Sequence, residues 1–276
     1  MAELRTETMT VNMGPQHPST HGVLRLVLEL SGEEVVNADT TMGFLHTGIE
    51  KTAEQKKWQQ VVPLVERMDY LGAQSNSLAY LLAVEKLLGL KMPKRVDDIR
   101  VLLAELQRLA SHLIWLGTHA MEIGAVSMLF YAVRERELLL NINELIAGFR
   151  FFPSYFRVGG LREDLPRGFH DAVNAFLDRF PGKLDEFERL LTKNDIFRRR
   201  TEGVGAITLD DAFQWGLVGP ILRAGGSDYD VRKYFPYLGY ETYTFTVPTA
   251  TEGDVYARYR VRVAEMRESV KIAKQA

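Results

Sequence analysis

Cysteine is absent from the 276 residues of this chain. Disulfides and thiolate nucleophiles are thereby excluded, and so are iron–sulfur clusters ligated by the chain itself, because cysteine thiolates are the main ligands of such clusters. An excess of charge is also missing, since the formal net charge is -2. That balance gives no general reason to expect nucleic acid or an anionic membrane surface as a partner.

Long apolar runs and nucleotide-binding patterns are missing as well. No window approaches the roughly 20 apolar residues that a membrane helix needs, and residues 1–9 lack the apolar segment of a signal peptide. Gly203-Val204-Gly205 has no third glycine, and there is no phosphate-binding loop, serine hydrolase motif or kinase motif. We therefore expect a soluble, cytoplasmic chain that reaches a membrane only through partners.

Residues 14–22, G-P-Q-H-P-S-T-H-G, form a segment rich in proline, glycine and histidine. Pro15 and Pro18 fix φ and remove backbone donors, which predicts an ordered loop. The loop holds His17 and His21, and ionisable groups held by a rigid loop are typical of functional sites. The alternative is that both histidines hydrogen-bond the turn itself. The prolines disfavour the helical H-x-x-x-H geometry that a metal would need, so no metal site is predicted.

The hydrophobic pattern predicts an α+β fold that is mainly α. Alternation over residues 8–13 and 23–30 predicts strands of an N-terminal β-rich subdomain at 1–50. Helical periodicity then predicts a helical bundle domain at 51–276, with a helix start permitted by Pro63. Further helices are predicted at 134–149, 168–180 and 182–191, and from Asp254 onwards. Alternation at 240–247 predicts a strand or hairpin within a β-rich insertion at about 201–256.

The strongest helical pattern follows Asp97, a predicted N-cap. Apolar residues recur there at steps of three and four and predict one core-facing stripe: Ile99, Leu102, Leu103, Leu106, Leu109, Ala110, Leu113 and Leu116. At about 100° per residue, the opposite side presents one polar face: Glu105, Arg108, His112, His119 and Glu122. Such a face is usually solvated, although in a bundle it can line an internal site.

Nine segments resemble motifs of a known family: G-P-Q-H-P-S-T-H-G-V-L-R-L at 14–26, F-L-H-T-G-I-E-K at 44–51, E-R-M-D-Y at 66–70, A-V-E-K-L-L-G at 83–89, R-L-A-S-H-L at 108–113, R-V-G-G-L-R-E-D-L-P at 157–166, S-D-Y-D-V-R-K-Y-F-P-Y at 227–237, G-Y-E-T-Y-T-F at 239–245 and E-M-R-E-S-V-K-I at 265–272. The family is the quinone-site subunit of respiratory complex I, known as the 49 kDa subunit or the D-type subunit of NADH-quinone oxidoreductase. The likeness runs along the whole chain.

The resemblance implies a fold similar to the large subunit of nickel–iron hydrogenases. It implies a quinone substrate, a [4Fe–4S] cluster held by a partner subunit of the B type, and NADH bound by another subunit of a proton-pumping complex. Further implied partners are a subunit of the C type and a membrane-arm subunit of the quinone channel. The implied location is peripheral, on the cytoplasmic side of the cell membrane.

Carried over by motif, the family's quinone ligands fall on His21 and Tyr70, and the arginine near the partner's cluster falls on Arg67. Imidazole and phenol groups suit a quinone, which must collect two protons after accepting two electrons. The acidic residue that pairs with the histidine in the family is aspartate, whereas this chain has Glu122. An acidic neighbour favours the charged form of the histidine.

Several positions depart from the family pattern. Thr40-Thr41 replaces a proline–histidine pair, Ser127-Met128 replaces Thr-Pro, and Phe152 replaces a histidine that couples the cluster's potential to pH. We therefore expect a weaker pH dependence of that potential than in relatives. Family members also continue past residue 276, so we expect a C-terminally truncated chain that is inactive by itself. Two alternatives are a hydrogenase large subunit, which the absence of cysteine disfavours, and a catalytically silent scaffold of the same fold.

Overall fold

A computed structural model describes residues 7–16, 20 and 23–276 of the chain. The chain divides into two compact units, Met1–Gln55 and Lys56–Ala276. The predicted boundary at residue 50 falls inside a short helix, Ile49–Ala53, which belongs to the first unit.

A three-stranded antiparallel sheet forms the first unit. Its strands are β1 (Met9–Met13), β2 (Arg25–Ser31) and β3 (Glu34–Thr41), in the order β1-β2-β3, followed by α1 (Ile49–Ala53). The two strands predicted at 8–13 and 23–30 are present as β1 and β2. Gly32, at a φ of +67°, makes the tight turn between β2 and β3. Such a turn suits glycine because positive φ brings no clash with a Cβ atom.

Helices dominate the second unit, which confirms the mainly helical class. Its elements are α2 (Trp58–Glu66), α3 (Ala73–Leu88), α4 (Lys94–Glu122), α5 (Ser127–Ala147), β4 (Phe156–Arg157), β5 (Gly160–Leu161), α6 (Phe169–Leu191), α7 (Asp195–Thr201), α8 (Leu209–Gln214), α9 (Pro220–Ala224), α10 (Val231–Tyr234) and α11 (Val255–Gln275). Within the described residues, no helix has the length and apolar character that crossing a membrane requires.

Helix α4 is the centre of this unit and packs against α3, α5 and α11. The predicted apolar stripe is buried along it, with Leu103, Leu109 and Leu113 fully inaccessible. The helix begins at Lys94, after Pro93, so the prediction of Asp97 as N-cap is wrong. Asp97 instead lies in the first turn, where its negative charge is favourable to the helix dipole.

Two predictions that used proline as a helix boundary are also wrong. Helix α6 runs without interruption through Pro181, where two helices were predicted. The buried stripe of Phe176, Phe180 and Leu184 continues across the proline, so tertiary packing overrides the local penalty. Helix α2 likewise begins at Trp58 and contains Pro63 in its interior.

The predicted β-rich insertion at 201–256 is wrong. This segment, which is described throughout, contains α8, α9, α10 and a 3₁₀ turn at Tyr240–Thr242, and no strand. The backbone of the alternating segment at 240–247 pairs with side chains of α11 and not with a neighbouring strand. Gln275 Oε1 accepts from the N–H of Thr244 at 2.8 Å, and a Glu268 carboxylate oxygen accepts from that of Thr246 at 2.9 Å.

Candidate functional site

Tyr70 and Arg67 lie together on the turn that follows α2, whereas Glu122 is the last residue of α4 and is exposed. His21, and with it His17, lies outside the described residues. The role assigned to each of these residues stays a prediction. No group of three or more potential metal-ligating His, Cys, Asp or Glu residues occurs within the described part of the chain.

The turn that carries Tyr70 is held on both sides. The N–H of Leu71 donates to Asp69 Oδ1 at 2.9 Å, and the N–H of Gly72 donates to the Asp69 carbonyl at 3.0 Å. From α4, Gln107 Nε2 donates to the Leu71 carbonyl at 2.7 Å. The backbone is thus fixed while the Tyr70 side chain remains 47% exposed.

Glu122 does not join this turn through α4. Gln107, near the middle of α4, donates to the turn, and Glu122 lies about 22 Å further along the helix at about 1.5 Å per residue. The structure therefore brings Arg67 and Tyr70 together and places Glu122 at the C-terminal end of α4.

Three aromatic rings, those of Tyr70, Phe151 and Phe152, form an aromatic cluster beside the turn. The rings of Tyr70 and Phe151 are nearly parallel, at 21°, with centroids 6.4 Å apart. Phe152 meets Phe151 edge-on at 5.3 Å. The guanidinium carbon of Arg67 lies 4.8 Å from the centroid of Phe152, and that of Arg136 lies 5.0 Å from the centroid of Phe151. Both distances are in the range of cation–π attraction.

A cavity of about 540 Å³ adjoins the cluster. Pro63, Glu66 and Arg67 line it from α2 and its end, and residues 150–154 line it from the loop after α5. Arg67 is anchored at its rim, because its Nη1 donates to the Pro63 carbonyl at 2.7 Å. The cavity lining thus combines aromatic faces with three guanidinium groups, those of Arg67, Arg150 and Arg162, and two carboxyl groups, those of Glu66 and Glu144.

The carboxyl group of Glu66 is fully inaccessible, and neither of its oxygens makes a hydrogen bond within the described residues. Burial raises its pKa to about 7, although the positive charges of Arg67 and Arg157 and the backbone at Ser154 oppose the rise. Glu66 therefore exchanges a proton near neutral pH. Sequence reasoning identified the E-R-M-D-Y motif without singling out Glu66. The available signal was its position four residues after the buried Val62, on the apolar side of α2.

The N-terminal half of the polar face of α4 is buried, although such helix faces are usually exposed to solvent. Glu105 is fully buried and accepts hydrogen bonds from four side chains on α4, α10, the 3₁₀ turn and α11: Arg108 at 3.1 Å, Arg232 at 3.0 Å, Tyr240 at 2.7 Å and Ser269 at 2.6 Å. Burial alone would raise the pKa of Glu105, but these guanidinium and hydroxyl groups lower it to about 2. Glu105 is therefore a charged structural centre.

His112 continues this buried charge network. Its Nε2 lies 2.8 Å from a carboxylate oxygen of Glu265, whose other oxygen lies 2.6 Å from Arg223 Nη2. Burial lowers the pKa of His112 and outweighs the attraction of Glu265. The network fastens α4 to α9 and α11. Most of the polar face of α4 therefore packs against neighbouring helices.

The buried ion pair between Arg100 and Glu85 was not predicted from the sequence either. The guanidinium of Arg100 donates to both carboxylate oxygens of Glu85, at 2.7 and 2.9 Å, and to the carbonyls of Arg157 and Gly160. Glu85 also accepts from the N–H of Gly159 at 2.9 Å. The R-V-G-G motif is thus a small β4–β5 hairpin that is pinned to α3 and α4.

Comparison with known proteins gives consistent matches. Residues 122–276 match the family model described as respiratory-chain NADH dehydrogenase, 49 Kd subunit. The chain is 60% identical over 98% of its length to the NADH-quinone oxidoreductase D-type subunit 2 of Roseiflexus sp. (strain RS-1), of which it covers 65%. It is 58% identical over 99% of its length to the D-type subunit 2 of Chloroflexus aurantiacus, covering 66% of that protein. It is 53% identical over 99% of its length to the D-type subunit of Citrifermentans bemidjiense, covering 70%. The chain therefore spans about two thirds of the length of these relatives.

Proposed function

We propose that this chain, which belongs to the 49 kDa subunit family of respiratory-chain NADH dehydrogenase, also named the D-type subunit of NADH-quinone oxidoreductase, forms the quinone site of that enzyme. In this proposal it binds the quinone headgroup and donates protons as electrons arrive from a [4Fe–4S] cluster in a partner subunit. NADH binds elsewhere in the complex.

The geometry at Tyr70 is the observation that supports this function best. Its phenol projects from a turn held by Asp69 and Gln107 and leaves 47% of the side chain accessible. A quinone that accepts two electrons becomes strongly basic, and a phenol is a suitable proton donor to it. His21 is the proposed second donor, and Glu122 is its proposed acidic partner.

Arg67 provides the proposed link to the partner's cluster. Its guanidinium lies over Phe152 at the rim of the cavity, next to the exposed Met68, whose side chain is 59% accessible. A positive charge beside an apolar surface suits an electron-rich cluster in a docked partner. The proposed partners are the cluster-bearing subunit of the B type, a C-type subunit and the membrane-arm quinone-channel subunit. The proposed location is peripheral, on the cytoplasmic side of the membrane, and the proposed fold relative is the nickel–iron hydrogenase large subunit.

Replacing Tyr70 by phenylalanine in the assembled complex tests the function. We expect quinone reduction to fall by at least about tenfold, because general acid catalysis typically contributes about 100-fold or more. NADH oxidation by a soluble acceptor that bypasses the quinone should be unchanged and serves as the control. Unchanged quinone reduction with intact assembly would instead favour the silent scaffold.

The pH dependence of the partner's cluster potential tests the interpretation of Phe152. We expect a weaker slope than in relatives that have histidine there, since phenylalanine cannot bind a proton. The pKa of Glu66, the residue before Arg67, is raised to about 7, so the measurement needs the Glu66→Gln variant as background. Redox titration of the cluster at several pH values gives the slope. The full proton-linked slope in that background would refute the prediction.

A further inference from the structure

Arg136 is a buried cation on α5. It is 7% exposed and has no carboxylate within ion-pair distance among the residues that the structure describes. Its Nε is buried and makes no hydrogen bond there. Burial lowers the pKa of Arg136, and the attraction of Glu137 offsets that effect only in part. A cation in such a place needs another source of stabilisation.

Phe151 supplies that stabilisation through its ring. The guanidinium of Arg136 lies 5.0 Å from the ring centroid of Phe151, and a desolvated cation gains more from an aromatic face than an exposed one does. Phe151 is 40% exposed and follows the end of α5 by a few residues, so its backbone alone does not determine where its ring lies. The contact with Arg136 ties the ring to the rigid helix.

The same ring contacts Tyr70. The two rings are nearly parallel with centroids 6.4 Å apart, within the range of stabilising aromatic pairs. The backbone of Tyr70 is fixed by its turn, but about half of the side chain faces solvent. Contact with Phe151 therefore restricts a phenol that would otherwise occupy several side-chain rotamers.

We propose that Phe151 and Arg136 are positioning residues for the Tyr70 phenol. Arg136 holds the Phe151 ring, and the ring holds the Tyr70 side chain in the orientation that presents its hydroxyl to a bound acceptor. This inference rests on the proposed function of Tyr70. In this inference each residue acts through Tyr70.

A double-mutant cycle in the assembled complex tests the inference, with kcat/KM for a short-chain quinone as the measurement. We expect Phe151→Leu to lower kcat/KM by about 3- to 10-fold. This range corresponds to the free energy that an aromatic pair contributes. In a Tyr70→Phe background the same substitution should change it by less than about twofold, because coupled residues are non-additive. Phe151→Tyr, which keeps the ring, should retain activity.

Arg136 is tested in the same way. Arg136→Met should reproduce the loss seen in Phe151→Leu, and Arg136→Lys, which keeps a cation, should restore most of it. Phe130→Leu, at a 68% exposed phenylalanine of the same helix, is the matched control and should leave activity unchanged.

Equal losses from Phe151→Leu with and without the Tyr70 hydroxyl would overturn the inference and would indicate a general packing role. No loss in either background would also overturn it. A Tyr70→Phe variant with full quinone reduction would refute the proposed function itself, and the positioning role with it.

Discussion

Replacing Arg100 by methionine is expected to destabilise the helical unit by about 3–5 kcal/mol, as removal of one partner of a buried ion pair typically does. Glu85 would remain buried without its cation, and the carbonyls of Arg157 and Gly160 would lose a donor. Burial by itself raises the pKa of Glu85, and the bonds from Arg100 and Gly159 lower it overall. The measurement is the free energy of unfolding in urea at neutral pH.

Arg95→Met provides the matched control for this experiment. Arg95 pairs with Asp164 at 2.8 Å, but the side chains are 62% and 74% exposed, so the expected loss is small beside that of Arg100→Met. The double variant Arg100→Met/Glu85→Leu should recover part of the stability, because no buried charge is then left unpaired. A loss for Arg100→Met as small as that of the control would contradict the prediction.

The second large effect is a pH-dependent gain of stability in Glu66→Gln. The pKa of Glu66 is about 7 in the folded chain, against an ordinary value of 4.5. The folded state therefore holds this proton more tightly than the unfolded state. The stability that Glu66 contributes is fully present below pH 4.5 and is lost as pH rises to about 7. Glutamine stays neutral, so the variant should exceed the wild type by about 3 kcal/mol at pH 8.

Comparing variant with wild type is necessary because another buried group titrates with the opposite sign. Burial lowers the pKa of His119 to about 4, so its contribution to stability grows as pH rises from 4 to 6.5. That contribution is common to both proteins and cancels in the difference. Glu163→Gln, at a side chain that is 60% exposed, is the control and should stay within about 0.5 kcal/mol of the wild type. An equal difference at pH 5 and pH 8 would refute the assignment.

Much of the helical unit was predictable because periodicity reports burial directly. The apolar stripe of α4 is the clearest case, since Leu103, Leu109 and Leu113 follow the helical repeat and are fully buried. Period two is a less specific signal. It misled at 240–247 because an extended segment tied to α11 by Gln275 and Glu268 alternates in the same way as a strand. Pro181 misled because a local penalty cannot reveal a packing stripe that continues past it.

The polar contacts were not predictable, because their partners are far apart in sequence. Glu105 is completed by Arg232, Tyr240 and Ser269, which lie more than one hundred residues downstream. Only their meeting in the fold distinguishes this buried centre from a solvated helix face.

Within the candidate site, Tyr70 and Arg67 came from the likeness of a motif, and the structure adds what surrounds them. Phe152 was noted only as a departure from a family histidine, and Phe151 was not noted at all. Both prove to carry a guanidinium over the ring. Their importance depends on the path of the loop after α5, which no local pattern encodes.

The close approach of α4 and α5 has a mechanical consequence. A Cβ atom at Gly117 would lie 3.1 Å from the Cα of Leu129 and 3.2 Å from the Cβ of Ala132, so the two backbones nearly touch there. Replacing Gly117 by alanine would therefore force Leu129 and Ala132 to shift by a few tenths of an ångström, so the crossing of the two helices admits no side chain without repacking.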